Sequence, residues 1–149
     1  MFCIEKVEND KLRYLDLLLL ADPSEDLIQD YLPGGEMFVL FENNKVIGQC
    51  VVVERCKGEC EIKNISVKEQ YRRRGYGKRL ITFIGNYYKK SYQTMFVGTG
   101  ETPEAILFYE NCGFQRSYVL KNFFVDNYKE PVIDNGVRLI NMIYLKKCL

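Results

Sequence analysis

Thirteen consecutive residues carry most of the chemistry legible in this chain. They run Val67-Lys68-Glu69-Gln70-Tyr71-Arg72-Arg73-Arg74-Gly75-Tyr76-Gly77-Lys78-Arg79, and six are basic against one acid. Apolar spacing places them where a strand, Glu61–Val67, turns into a helix with Leu80, Ile81, Ile84, Tyr87 and Tyr88 on one side. A helix N-terminus carries about +0.5 of an elementary charge, so each cation there costs roughly 0.3–1 kcal/mol. That cost is tolerable when an anion occupies the site. The free N–H groups of the first turn, the helix dipole and the cationic side chains then all favour it. Gly75 and Gly77 let the main chain approach such an anion without an intervening Cβ. The segment therefore reads as a phosphate cradle, most simply for a pyrophosphate. A solvated basic face is the ordinary alternative, and the interleaved glycines and the strand-to-helix position weigh against it. Two other nucleotide motifs are excluded: no G-x-x-x-x-G-K-[ST] run exists, and Gly75-Tyr76-Gly77 is followed by Leu80 where a dinucleotide fold wants glycine.

The strand before the cradle has a second peculiarity. Ile62, Ile65 and Val67 cannot share one face with a strict period of two. An extra residue near Lys63-Asn64, a β-bulge, restores the parity. Such a bulge would splay this strand from the next, Thr94–Val97, and leave main-chain groups free for a ligand rich in amides.

The pattern Arg72-x-x-Gly75-x-Gly77 resembles the acyl-CoA signature, Q/R-x-x-G-x-G/A, of the GNAT superfamily of N-acetyltransferases. Phe108-Tyr109-Glu110-Asn111-Cys112-Gly113-Phe114 resembles that family's second motif, in which a helix carries a tyrosine and ends in Gly-Phe. The close match runs from about Glu61 to Phe114. The resemblance implies acetyl-CoA as co-substrate, with its pyrophosphate on the N–H groups of Arg73, Arg74, Gly75, Tyr76, Gly77 and Lys78, next to Arg72. It also implies that the pantetheine arm lies along Ile65-Ser66-Val67 like an added strand. The family often has an asparagine shortly before the second-motif helix. Thr102 stands there instead, where it also reads as an N-cap.

Acetyl transfer to an amine needs a base for the ammonium, polarisation of the thioester oxygen and a proton for the leaving thiolate. The chain has no histidine. The base is therefore a carboxylate, a water relay or a tyrosinate. Counted back from the glycine motif, Glu61 matches the glutamate used by histone-acetylating members of the family, with Glu59 as a backup. Tyr109 matches the second-motif tyrosine whose hydroxyl faces the CoA sulfur, and so is the candidate acid. The acceptor is expected to be an amine on a small molecule or peptide. Asp126, Glu130, Asp134 and the tyrosines of the late loop are candidates for an acidic, aromatic acceptor pocket. That loop resembles the tails of small bacterial members of the family.

The elements that must position these groups follow from local signals. Phe2–Val7 reads as a strand and Leu12–Leu20 as a buried helix. Asp22, Pro23 and Glu25 suggest the start of another helix, with Asp22 as its N-cap, ending at Pro33-Gly34-Gly35. Met37–Phe41 and Val46–Val53 form a hairpin. Thr102 and Pro103 open a helix that Gly113 closes. Gln115–Phe124 and Val137–Lys146 read as the last strands, with Asp126–Asn135 a long loop between them. The expected fold is α/β of the GNAT type: a mixed, mostly antiparallel sheet of about seven strands flanked by about four helices, spanning residues 1–149 as one domain.

Composition narrows the function further. The 149 residues include 21 Lys+Arg and 20 Asp+Glu, a net charge of +1. That balance recommends neither a nucleic acid nor a membrane as partner. The absence of histidine removes His-based triads and His metal sites, and six cysteines without a C-x-x-C pair make a zinc site unexpected. Reduced cysteines, no metal, no signal peptide and a cytoplasmic location are the corresponding expectations. A homodimer is an open alternative to a monomer. An acetyl-CoA-dependent enzyme is the leading functional reading. A non-catalytic CoA-binding or protein-interaction module and a small RNA-binding protein are its rivals.

Overall fold

The computed structural model describes all residues, Met1–Leu149. Nine strands and five α-helices follow one another: β1 Phe2–Val7, α1 Leu15–Ala21, α2 Glu25–Tyr31, β2 Glu36–Glu42, β3 Lys45–Cys56, β4 Glu59–Val67, α3 Tyr76–Tyr88, β5 Thr94–Gly100, α4 Pro103–Asn111, β6 Gln115–Leu120, α5 Phe123–Asn127, β7 Ile133–Asp134, β8 Val137–Arg138 and β9 Met142–Cys148. Seven strands form one sheet in the order β1-β2-β3-β4-β5-β9-β6, while β7 and β8 make a separate small hairpin. Every neighbouring pair in the large sheet is antiparallel except β4–β5. No helix is long and apolar enough to cross a membrane.

Burial on both faces explains why β2 and β3 are nearly continuous apolar runs. Phe38 and Leu40 pack on one face with Leu80, Ile81, Ile84 and Tyr88 of α3. Met37 and Val39 alternate to the other face, against Leu18, Ile28 and Leu32 from the α1–α2 region. The β2–β3 connection is a two-residue turn in which Asn43 and Asn44 both have positive φ (52° and 65°), a conformation asparagine tolerates.

The anticipated bulge is present. Val51 pairs with Asn64 and Val52 pairs with Ile62, so Lys63 is the extra residue. Parallel pairing with β5 stops at once: it runs from Glu59–Thr94 to Ile62–Val97 and no further. Beyond it β4 stays with β3 and β5 stays with β9, leaving a wedge between them.

The bulge also places Asn64 and Ser66 under α1, in a buried polar network. Asn64 Nδ2 donates to the Leu18 carbonyl (3.0 Å) and to Tyr31 Oη (2.9 Å). Ser66 Oγ donates to the Leu17 carbonyl (2.6 Å). Gln49 Nε2 donates to both Asn64 Oδ1 (2.6 Å) and Ser66 Oγ (3.1 Å). These bonds reach the Leu17 and Leu18 carbonyls, the latter also accepting from the Asp22 N–H, and fix α1 against β4.

Several local readings need correction. The first helical region is split: Lys11–Tyr14 is a 3-10 turn and α1 starts at Leu15, with Leu12 and Leu20 exposed. Ser24, not Asp22, caps α2, its side chain accepting from the Leu27 N–H at 3.2 Å. Asp22 instead accepts from the Ser24 N–H (3.1 Å), so the helix starts two residues later than its proline suggested. The strand expected to reach Phe124 ends at Leu120, because Asn122 turns left-handed (φ 59°) and opens α5. The Asp126–Asn135 loop thus begins inside a helix and ends in the β7–β8 hairpin, and the last strand begins at Met142 rather than Val137.

Replacing Asn64 with alanine removes the bonds that tie β4 to the Leu18 carbonyl and to Tyr31, and leaves the Gln49 amide with Ser66 alone; the Leu18 carbonyl keeps the Asp22 N–H. A loss of about 1–3 kcal/mol in urea-unfolding free energy is expected for these lost bonds, with an unchanged slope.

Candidate active site

The cradle begins with left-handed backbone. Arg73 has φ 64° and Gly75 has φ 85°, the latter in open space where only conformation requires glycine. Gly77 is glycine for another reason: a Cβ there would lie 3.0 Å from Phe108 Cζ. The first N–H of α3 to close onto the main chain is Arg79, which donates to the Gly75 carbonyl at 3.1 Å. The N–H groups of Arg73, Arg74 and Gly75 have no acceptor within the chain. Those of Tyr76, Gly77 and Lys78 lie in the first helical turn, whose amides have no intrahelical partner. No acid occupies that turn. Six successive amides therefore have no partner within the chain at the positive end of a helix dipole, which suits a diphosphate.

These residues open onto a cleft of about 900 Å³. Its walls include Ile65, Ser66 and Val67 of β4, Arg72, Arg73, Gly75, Tyr76, Gly77 and Lys78 of the cradle, and Thr102 and Tyr109 of the α4 segment. Arg74 is the exception: it borders a neighbouring groove with Phe2 and Arg79, and its guanidinium lies 5.9 Å from the Tyr71 ring centre. Arg72 is partly committed, its Nε donating to the Val67 carbonyl at 3.1 Å. The Tyr76 phenol turns away to Glu42, so that residue offers the cleft its main chain. Ser66 likewise commits its hydroxyl to α1 and offers backbone. Thr102 caps α4, accepting from the Ala105 N–H at 3.4 Å, while bordering the cleft.

Tyr109 is buried between Phe108 and Phe114, with ring centres 5.0 and 5.8 Å away. Its hydroxyl makes no hydrogen bond within the chain, and burial holds the phenol well above its ordinary pKa. It is thus a protonated donor at neutral pH, on the wall of the cleft.

Glu61 lies on the other side of the wedge, in a second cavity of about 250 Å³. Tyr144 Oη donates to Glu61 Oε2 at 2.7 Å. Arg55 Nε is 3.9 Å from Oε1, and Lys63 Nζ is 3.6 Å from Oε2. Arg55 is itself stacked 3.9 Å from the Phe96 ring centre and donates to Tyr118 Oη at 2.6 Å. The two spaces meet at β5: Gly98 borders the cavity, and Thr99 borders the cleft. Glu59 is elsewhere, accepting from Cys56 Sγ at 3.3 Å.

The late-loop acids are placed differently from expectation. Asp134 borders the cleft, and Asp126 and Glu130 border neither space. The carboxylates of the second cavity are Asp22, Asp30 and Glu61, and the late segment contributes Phe123 and Tyr128 to it. Asp22, Tyr31 and Tyr144 were invisible as site residues because they meet only through tertiary register; Tyr144 and Glu61 are 83 positions apart.

Comparison with known proteins decides the family. The acetyltransferase (GNAT) domain family matches residues 33–116, more than half of the chain. The chain belongs to the GNAT superfamily. It is 34% identical over 139 residues to the N-acetyltransferase YvbK of Bacillus subtilis, an uncharacterized protein, covering 92% of this chain and 88% of that one. A GNAT family acetyltransferase from Elizabethkingia anophelis with acetyl-CoA bound superposes with a TM-score of 0.92 at 37% identity, covering 99% and 98% of the two chains. A Bacillus subtilis acetyltransferase in complex with CoA gives 0.90 at 32% identity, covering 100% and 99%. This GNAT protein is accordingly an acetyl-CoA-dependent N-acetyltransferase.

The phenols of this acetyltransferase predict its behaviour in alkali. Burial raises Tyr31, Tyr88, Tyr109, Tyr128 and Tyr144. A raised folded pKa means that the fold favours the protonated phenol. Its contribution is complete below the free value near 10 and is lost as pH rises beyond it. Absorbance at 295 nm at pH 11 should fall well short of that of the urea-unfolded chain, and urea midpoints should drop steadily above pH 10.

Proposed function

We propose that this acetyltransferase passes the acetyl group directly to a primary amine of a small molecule or peptide, with both substrates bound together. The observation that carries this reading is the wedge between β4 and β5. It adjoins an anion cradle with free amides on one side and a carboxylate-bearing cavity on the other. Acetyl-CoA supplies the activated acyl group. Arg73 to Lys78 hold the pyrophosphate by main-chain N–H groups, with Arg72 beside them, and Ile65 to Val67 offer the unpaired strand edge to the pantetheine amides. Arg74 adds charge from outside the cleft, and Thr102 borders the arm.

Glu61 takes a proton from the acceptor ammonium and then returns it to solvent. The freed amine forms the new N–C bond as the C–S bond breaks. Tyr109 gives its proton to the departing sulfur and regains one from the new amide nitrogen. The net change is ammonium plus thioester to amide, thiol and one proton. Tyr144 keeps the Glu61 carboxylate oriented. A homodimer and a cytoplasmic location are compatible with this reading, which needs neither.

Glu61→Gln should lower kcat at neutral pH by on the order of 100-fold, and by less at high pH where free amine is plentiful. An equal loss at every pH assigns the base elsewhere. Tyr109→Phe should reduce kcat by about tenfold or more while calorimetric CoA affinity stays within twofold; unchanged turnover removes it from the mechanism.

A further inference from the structure

Lys63 is the bulge residue, and strand alternation puts it, two positions on, on the same face as Glu61. Its ammonium lies 3.6 Å from Glu61 Oε2 and 5.8 Å from the ring centre of Tyr31. A carboxylate on one side and an aromatic ring on the other are what an alkylammonium ion seeks. The seat is part of the 250 Å³ cavity across the wedge from the cleft. We propose that the acceptor's ammonium takes this seat by displacing Lys63, and that the acceptor is a compact monoamine with a flat apolar body. The inference rests on the assignment of Glu61 as base.

The remaining walls set the class. Phe123, Tyr128, Leu27 and Met142 are aromatic or apolar and match a flat, uncharged body. The other two carboxylates of the cavity are engaged differently. Asp22 Oδ1 already accepts from the Ser24 N–H and Tyr128 Oη (2.9 Å), and its Oδ2 accepts from Tyr31 Oη at 3.4 Å. Asp30 is exposed to water at the rim. Glu61 is the carboxylate of this cavity that already faces an ammonium, that of Lys63, and an incoming one competes for the same place. Lys63 acts as a specificity determinant: an acceptor that arrives uncharged gains nothing by displacing it.

The test is steady-state kinetics at saturating acetyl-CoA with 2-phenylethylamine, spermidine and a tripeptide with a free N-terminus. 2-Phenylethylamine should show a kcat/KM about tenfold above both others, since its ring alone buries fully. Lys63→Met should lower its KM about three- to fivefold, the worth of an exposed ion pair, with kcat within twofold. Lys63→Arg should restore the wild-type KM. An unchanged KM in Lys63→Met, or a higher kcat/KM with spermidine or the tripeptide, overturns the proposal. Glu61→Gln, measured alongside, separates the two readings. Full activity in that variant defeats the base assignment, whereas full loss with an unmoved Lys63→Met KM defeats only the seat.

Discussion

The site depends on hydrogen bonds that β4 does not make. A buried strand normally has both edges paired, because an unpaired peptide group away from water is costly. One inserted residue, Lys63, coincides with the end of pairing to β5 after four rungs, from Glu59–Thr94 to Ile62–Val97, while pairing to β3 resumes past the bulge at Val51–Asn64. The result is a rigid strand with a prepared edge. The network of Gln49, Asn64 and Ser66 clamps that strand to α1, so the wedge is supported from behind by bonds that a ligand does not disturb.

Electrostatics works in the same direction at the next turn. A helix start crowded with arginines opposes its own dipole, and the left-handed Arg73 adds conformational cost. Neither cost is relieved by a side-chain cap, since none reaches the free amides. Charge and unsatisfied N–H groups are concentrated where a diphosphate relieves both. Across the wedge the balance is reversed: Glu61 is already met by Tyr144, Arg55 and Lys63. The two spaces are thus held ready in opposite senses, one short of negative charge and the other with its negative charge provisionally matched.

The sequence exposed the parts of this arrangement that are local. Glycines among arginines, a slip of parity across Ile62 and Ile65, and a tyrosine before Gly113-Phe114 each act within a few residues. They were sufficient for the cradle, the bulge and the family's fold. The surroundings of Glu61 were not legible, because Arg55, Tyr144 and Tyr31 reach it through strand register and helix docking. The error at Asp22 is instructive. Asp, Pro and Glu form a plausible helix start, but two phenols from Tyr31 and Tyr128 compete for that carboxylate, and Ser24 takes the cap. Residues beyond Leu120 were misread as strand because their apolar side chains serve α5 and the cavity wall rather than the sheet.

The tie between Tyr128 and Asp22 spans 106 positions and joins the late segment to the α1–α2 junction. Neither partner borders the cleft of the cradle. The tie anchors the wall that Phe123 and Tyr128 give the second cavity to the α1–α2 junction, while β4 and β5 border both spaces. If that cavity receives the acceptor as proposed, exchange of the stretch around α5 would re-tailor what the enzyme modifies with the two shared strands left in place, a division of labour that suits diversification after gene duplication.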